Sequence, residues 1–340
     1  MSSRRFESFL KRLNDRPERH RELRRARRRI GGHANAPGRS SNWGCAAETL
    51  EDRTLLSAAP ISPAQMRTAY GVNQISFNGV AGTGAGQTIA IVVAYHDPNI
   101  IAAAQTFSSQ FGIPQFNLSG GPTLQVLNEF GGTNLFPYGG GSVWSIQESV
   151  DVEWAHAIAP QANIIVFEAS SNSSSDLAQT DQTAAGTAGV SVVTTPWSSD
   201  DLAEVLAADL TLLTPSGHQG VTFLTGTGDG GYPAVSPNVI AVGGTTLNVD
   251  SSGSYLSESA WTDGGGGISI FESQPPYQTG KVNGTSLTQR TVPDIAMDAD
   301  PNTGVDVVDT VDSSTDLVVG GTNLSSAMMA SKYSAVRGST

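Results

Sequence analysis

The sequence predicts an α/β fold, a three-layer sandwich with a mostly parallel central sheet. Short apolar runs without polar alternation are typical of strands that are buried on both faces of a sheet. Segments of helical periodicity separate these runs, so the order along the chain is β-α-β-α. With 340 residues, the chain is long enough to bury a large core.

Five apolar runs are predicted to be strands, and four segments between them are predicted to be helices. The strands are expected at 87–95, 163–169, 190–195, 221–226 and 238–244, and the helices at 98–112, 142–159, 173–189 and 200–215. Pro98 fits the start of the first helix and Gly112 fits its end, while Pro160 closes the second helix.

The distribution of charge divides the chain into a basic head and an acidic body. The first 40 residues hold 13 of the 19 Lys and Arg residues, whereas residues 41–340 hold 6 basic and 27 acidic residues, a net charge of −21. We expect residues 1–57 to form a basic disordered head and residues 58–340 to form the folded domain. An acidic body makes nucleic acid an unexpected partner, although the head alone leaves a nucleic-acid binder as an alternative.

The segment "LEDRTLLS", residues 50–57, resembles a short segment near the N-terminus of many exported planctomycete proteins. It indicates export to the cell envelope or the extracellular space, and an exposed amphipathic turn is the alternative. Cys45 is the single cysteine, so no internal disulfide is possible. No apolar run is long enough to span a membrane. We expect the protein to be a monomer.

The predicted helix at 142–159 holds an unusual number of titratable groups. Glu148, Asp151, Glu153 and His156 lie within nine residues, and positions three or four apart share a helix face. Two carboxyl groups that share a proton would form an acid/base pair. The alternative is a solvated helix face, which the residues alone favour.

Two glycine-rich turns are further candidates. Asp229 lies in "LTGTGDGGYPA", where glycine lets the backbone approach a ligand closely, although a plain turn explains it equally. Asn323 lies in "VVGGTNLSSAMMAS" at a predicted helix start, the kind of place where some hydrolases present a nucleophilic serine. Its alternative role is to cap that helix.

Several stretches, in this order, resemble the sedolisin family of serine-carboxyl endopeptidases, which are related to subtilisin. They are "GQTIAIVVAYHDPNI", "DVEWAHAIAPQANIIVFEA", "YPAVSPNVIAVGGTTL", "VPDIAMDADPNTGV" and "GGTNL". The resemblance implies a subtilisin-like fold, acid proteolysis and a polypeptide substrate. In the family, a Glu and an Asp four residues apart form a relay with the serine of a Gly-Thr-Ser turn, and a further Asp donates a hydrogen bond to the oxyanion.

Carried onto this chain, the resemblance makes Asp151 the relay Asp and Asp229 the oxyanion Asp. The relay Glu position is Gln147, and the nucleophile position is Asn323. An amide can neither take up the proton nor attack a carbonyl. Glu148 is a possible deputy, but its side chain points about 100° around the helix from Gln147.

The expected function is therefore that of a sedolisin-type endopeptidase domain with little or no activity. A module that binds peptides without cutting them is the alternative, and an active peptidase using Glu148 is a less favoured one. The family also has more helix and a calcium loop after the nucleophile turn, whereas this chain has 17 residues after Asn323. We therefore expect a C-terminally truncated domain with no metal and no cofactor.

Overall fold

A computed structural model describes the folded part of the chain. The described residues are 46–47, 59–200, 203–218, 220–282, 288–309 and 317–337. Cys45 and the segment 50–57 lie outside them, as does most of the predicted head, so the division at residue 57 stays a prediction. Within that head, Ala46–Ala47 pairs antiparallel with Trp197–Ser198.

The described chain forms five α-helices and twelve strands of three or more residues. The helices are α1 (Pro63–Ala69), α2 (Ile100–Phe111), α3 (Ser142–Ile158), α4 (Ser174–Gly186) and α5 (Thr322–Arg337). The strands are β1 (Thr88–Ala94), β2 (Leu124–Asn128), β3 (Asn163–Ala169), β4 (Val190–Thr194), β5 (Thr222–Gly226), β6 (Val239–Val249), β7 (Tyr255–Ala260), β8 (Gly267–Ser273), β9 (Gln289–Val292), β10 (Ile295–Asp298), β11 (Val305–Val307) and β12 (Leu317–Val319). Shorter pieces are the strand pair Ser76–Phe77 with Val80–Ala81, and the 3₁₀ turns Val72–Gln74, Pro276–Gln278 and Pro301–Thr303.

Eight strands form the central sheet. Their order is β7-β6-β5-β4-β1-β3-β2, and β10 also pairs with β6. The pairing is parallel throughout except between β6 and the edge strand β7. Strands β8 and β9 form a separate antiparallel pair, as do β11 and β12.

Alternate residues of β1 enter two different cores, which makes the architecture three-layered. Ala90 and Val92 pack with residues of α4 on one face of the sheet. Ile89 and Ile91 pack with residues of α2 and α3 on the other face. The predicted three-layer α/β fold is therefore confirmed.

All five predicted strands and three of the four predicted helices are present, with small shifts at their ends. Helix α2 ends at Gly112, whose φ of 65° suits a glycine, as predicted. The fourth helix differs, because Ala203–Leu212 is a 3₁₀ helix. Within 208–213, Leu212 is buried while Leu210 and Leu213 are exposed, so these apolar side chains do not all pack against the core in the way that stabilises a regular α-helix. In the described part of the chain, no helix is both long and apolar enough to cross a membrane.

Candidate active site

Helix α3 is buried along almost its whole length, including its titratable side chains. Glu148, Asp151, Glu153 and His156 are each at most 1% exposed. The solvated-face interpretation of this helix is therefore wrong. The physical reason is that α1, α2 and α5 pack around the helix and the sheet covers its remaining side, so no face of it is left to water.

Gln147 and Asp151 lie one turn apart on α3 and are hydrogen-bonded to each other. The side-chain amide of Gln147 donates from Nε2 to Oδ2 of Asp151 over 2.8 Å, and both residues are fully buried. At the position that the resemblance assigns to a proton-accepting Glu, this chain therefore places a hydrogen-bond donor.

Glu148 lies in a different environment from Gln147. It lines a narrow crevice together with His96, Asp97 and Ser145, and aromatic rings, including that of Trp144, form the walls. Burial raises the pKa of Glu148 well above its ordinary value, and the nearby carboxyl groups of Glu168, Asp97 and Asp151 raise it further.

The turn that holds Asn323 is fixed against strand β5 and the turn that follows it. The backbone N–H of Gly228 donates to Oγ1 of Thr322 over 2.9 Å. A Cβ on Gly226 would lie 2.7 Å from the carbonyl carbon of Thr322, so only glycine permits this approach. The turns of Asp229 and Asn323, far apart in sequence, are therefore neighbours.

Asn323 is fully buried, whereas Asp229 is exposed. Helix α5 begins at Thr322, which places Asn323 inside its first turn. The expectation that Asn323 is the N-cap residue is therefore wrong. The reason is that a tertiary contact, the hydrogen bond between Gly228 and Thr322, fixes the start of this helix.

The two serines that follow Asn323 use their hydroxyl groups inside the helix. Ser325 donates to the carbonyl oxygen of Thr322 over 2.7 Å, and Ser326 donates to that of Asn323 over 2.9 Å. Both serines are fully buried. These hydrogen bonds direct both hydroxyl groups back along α5.

The other two titratable groups of α3 interact with the structure around the helix. Oε2 of Glu153 accepts the backbone N–H of Val308 over 3.0 Å, and burial raises the pKa of Glu153 well above its ordinary value. His156 donates from Nε2 to the carbonyl oxygen of Pro114 over 2.7 Å, and its ring packs 4.0 Å from that of Phe116. Burial lowers the pKa of His156 to about 4.

The sequence did not predict a group of polar residues that lies between the ends of β1 and β3 and the N-terminal half of α3. His96 and Asp97 follow strand β1, and Glu168 lies near the end of β3. The available signal was Glu168 itself, a charged residue inside the apolar run "NIIVFEA". Its interaction with His96 depends on the adjacency of β1 and β3, which the sequence does not state.

No protein-family model matches the chain. Among curated proteins, the chain is 29% identical over 291 residues to sedolisin from Pseudomonas sp. (strain 101), which covers 76% of this chain and 47% of that protein. It is 32% identical over 269 residues to kumamolisin from Bacillus sp. (strain MN-32), covering 71% of this chain and 46% of the relative. The chain thus spans about half the length of the curated relatives it matches.

The fold agrees with the sequence similarity. A solved structure of Pseudomonas sedolisin, a serine-carboxyl proteinase complexed with two molecules of pseudo-iodotyrostatin, matches with a TM-score of 0.66 at 25% identity. The match covers 82% of this chain and 80% of that chain. From these similarities in sequence and in structure, we conclude that the chain is similar to peptidases of the sedolisin family and has their subtilisin-like α/β fold.

Proposed function

We propose that this chain is a sedolisin-type endopeptidase domain that has lost most or all of its hydrolytic activity. The hydrogen bond from Gln147 to Asp151 carries this proposal. A relay residue must accept a proton from the nucleophile, whereas the Gln147 amide is not basic enough to take one up and donates a hydrogen bond to Asp151 instead. Asn323 has no hydroxyl group, so the nucleophile of acyl transfer is missing as well.

Neighbouring residues do not replace the two missing functions. The hydroxyl groups of Ser325 and Ser326 are hydrogen-bonded to carbonyl oxygens within α5. Glu148 lies among the carboxyl groups of Glu168, Asp97 and Asp151, in a crevice that His96 and Ser145 also line. This arrangement argues against an active peptidase that uses Glu148.

The test is hydrolysis of a denatured protein by the full chain at acid pH. We expect no hydrolysis by the native chain. The double change Gln147→Glu with Asn323→Ser should raise the rate roughly 10²-fold or more above background, since a general base alone contributes about 10²- to 10⁴-fold. Adding Asp151→Ala to the double variant should return the rate to background. Hydrolysis by the native chain that Asp151→Ala or Glu148→Gln abolishes would overturn the proposal.

A second candidate function is peptide binding without hydrolysis. The backbone of Gly265–Gly266 lies against the turn at Gly228–Gly230, and strand β8 begins there. Ile268, Ile270 and Phe271 of β8 are exposed, and Ile268 lines a groove of about 570 Å³ together with Tyr277 and Asp294. An exposed strand with apolar side chains next to a groove suits an extended polypeptide.

Pseudo-iodotyrostatin, the ligand in the solved sedolisin structure, is the natural probe for this candidate. Calorimetry at acid pH should show saturable binding by the native chain, and Ile268→Glu should weaken it by about tenfold, since it places a charge on an apolar lining position of the groove. Equal binding by both proteins would place the ligand elsewhere. Absence of binding would count against the peptide-binding candidate and leave the proposal of lost hydrolysis standing.

We also propose that the protein works outside the cytoplasm. The resemblance of residues 50–57 to an export segment and the net charge of −21 on residues 41–340 support this. Fractionation of cells that express the full chain tests it, because export requires the chain to appear in the envelope or the medium. A chain found in the cytoplasm would contradict it.

A further inference from the structure

A buried group of polar side chains lies where strands β1 and β3 end against the N-terminal half of α3. We call it the carboxyl cluster. Apart from His96, its members are at most 3% exposed. It consists of His96, Asp97, Ser145, Glu148, Glu168 and Asp309.

One end of the carboxyl cluster reaches solvent through His96, whose side chain is 17% exposed. Its Nδ1 lies 2.9 Å and 2.8 Å from the two carboxyl oxygens of Glu168. The backbone N–H of Asp97 also points at Glu168, at 3.3 Å from Oε1. His96 is the one basic side chain in the cluster, so it can balance only one of the carboxylates.

The other end of the cluster contains a shared hydroxyl group. Oγ of Ser145 lies 2.8 Å from Oδ2 of Asp97 and 3.0 Å from Oδ1 of Asp309. A hydroxyl has a single proton and cannot donate fully to two carboxylates.

Burial and mutual repulsion favour the protonated forms of the glutamates. Burial raises the pKa of Glu168 to about 7, Asp97 raises it as well, and His96 lowers it. The pKa of Glu148 is raised well above its ordinary value by burial and then by Glu168, Asp97 and Asp151. Oε1 of Glu148 has no hydrogen-bond partner among the described residues. Glu148 of α3 and Glu168 of β3 thus lie near each other. The other titratable groups around them are Asp151 of α3 and His96 and Asp97 of the segment after β1.

We propose that the carboxyl cluster is a pH-operated latch that holds the N-terminal half of α3 against the ends of β1 and β3. In acid, Glu148 and Glu168 hold their protons and the latch is closed. Once Glu168 ionises, it repels Asp97 and Glu148 in a space that water does not screen, and this end of α3 loosens. The latch controls the placement of Gln147 and Asp151, which lie on the same helix, and it does not depend on whether the chain hydrolyses peptides.

The direction of the pH effect follows from Glu168. Its ordinary pKa is 4.5 and its pKa in the folded protein is about 7, so the folded state binds the proton more tightly than the unfolded state. The stability it contributes is fully present below pH 4.5 and is lost as the pH rises through 7. Between these two pKa values, the opening equilibrium for one proton changes by up to about tenfold per pH unit, and above pH 7 it levels off.

Hydrogen exchange of the full chain at pH 5 and pH 8, corrected for intrinsic exchange rates, tests the latch. In the native protein, amides of 142–150 should exchange at least about tenfold faster at pH 8 than at pH 5, while those of α2, which has no titratable side chain, change less. Glu168→Gln should remove this difference, and Asp200→Asn, at an exposed carboxyl group, should retain it. The proposal would be overturned if the amides of 142–150 in the native protein were equally protected at both pH values. It would also be overturned if Glu168→Gln lost as much protection between pH 5 and pH 8 as the native protein does.

Two further variants keep the test decisive. If Glu168→Gln does not fold, Glu148→Gln should also reduce the difference between pH 5 and pH 8, because it removes the repelled partner. His96→Gln should move the midpoint of the transition to higher pH, since the imidazole lowers the pKa of Glu168. A midpoint that stays in place or moves down would contradict the assignment of His96 to the latch.

Discussion

Gln147 donates a hydrogen bond of 2.8 Å to Asp151, one turn further along the same buried helix. The pair has the spacing of a carboxylate relay but holds only one carboxyl group. Because the amide donates its hydrogen bond and has no carboxyl proton to exchange, Asp151 is the one acid of the pair. Four predictions follow from this pair and from the contacts around it.

Removing the donor at Gln147 should destabilise the protein. Gln147→Met keeps the volume of the side chain but leaves Oδ2 of Asp151 without the amide, so we expect a loss of about 1–3 kcal/mol in the free energy of unfolding. Urea unfolding at pH 8 measures it. Gln147→Glu is the matched variant, because its added carboxyl group can donate to Asp151 only while protonated. It should be closer to native stability at pH 4.5 than at pH 8. Native stability of Gln147→Met at pH 8 would contradict this prediction.

The hydroxyl group of Thr322 should stabilise the folded protein. Thr322→Val keeps the shape of the side chain but leaves the N–H of Gly228 without its acceptor, at an expected cost of about 1–3 kcal/mol in the free energy of unfolding. Thr322→Ser keeps the acceptor and should cost less. Urea midpoints for the three proteins give the comparison, and equal values for the Val and Ser variants would show that the hydrogen bond contributes nothing.

Gly226 should tolerate no side chain. In Gly226→Ala, the new Cβ would meet backbone atoms of Thr322 at 2.7 Å, and the backbone would have to shift at an expected cost of about 1–3 kcal/mol. Gly186→Ala is the matched control, since a Cβ there meets nothing within 4 Å at the exposed end of α4. It should be neutral or stabilise the protein by about 0.5–1 kcal/mol. Thermal unfolding separates the two variants, and similar melting temperatures would refute the steric explanation.

His156 should limit stability in acid. Its pKa is about 4 in the folded protein against an ordinary value of 6.5, so the folded state binds the proton more weakly than the unfolded state. The stability that depends on neutral His156 is present above pH 6.5 and is lost as the pH falls through 4.

The variant His156→Gln tests this dependence, since it keeps a donor for Pro114 and removes the titration. The loss of stability between pH 6.5 and pH 4 should be shallower in this variant than in the native chain. Parallel curves of unfolding free energy against pH would contradict the prediction. Glu168 acts in the opposite direction over a partly overlapping range, so the two residues are best measured separately.

The sequence by itself determined the central architecture. The strands around β1 are continuous apolar runs, and helix α2 ends at a glycine with positive φ, so local pattern was sufficient to find them. Local pattern did not predict strands β7 and β8, most of whose residues are exposed, or the four-residue strands β9 and β10. It also predicted an α-helix at 200–215, where the described residues 203–212 form a 3₁₀ helix.

The sequence also indicated the family and brought attention to Gln147, Asp151, Asp229 and Asn323, whose roles remain predictions. Only the tertiary structure decided that α3 is buried on all sides and that Glu148 faces Glu168 and Asp97. The physical reason is that a helix sequence specifies which residues share a face, whereas the exposure and the pKa of that face depend on what packs against it. Those neighbours come from β1, β3 and α5, which are distant in the chain and meet α3 only in the folded protein.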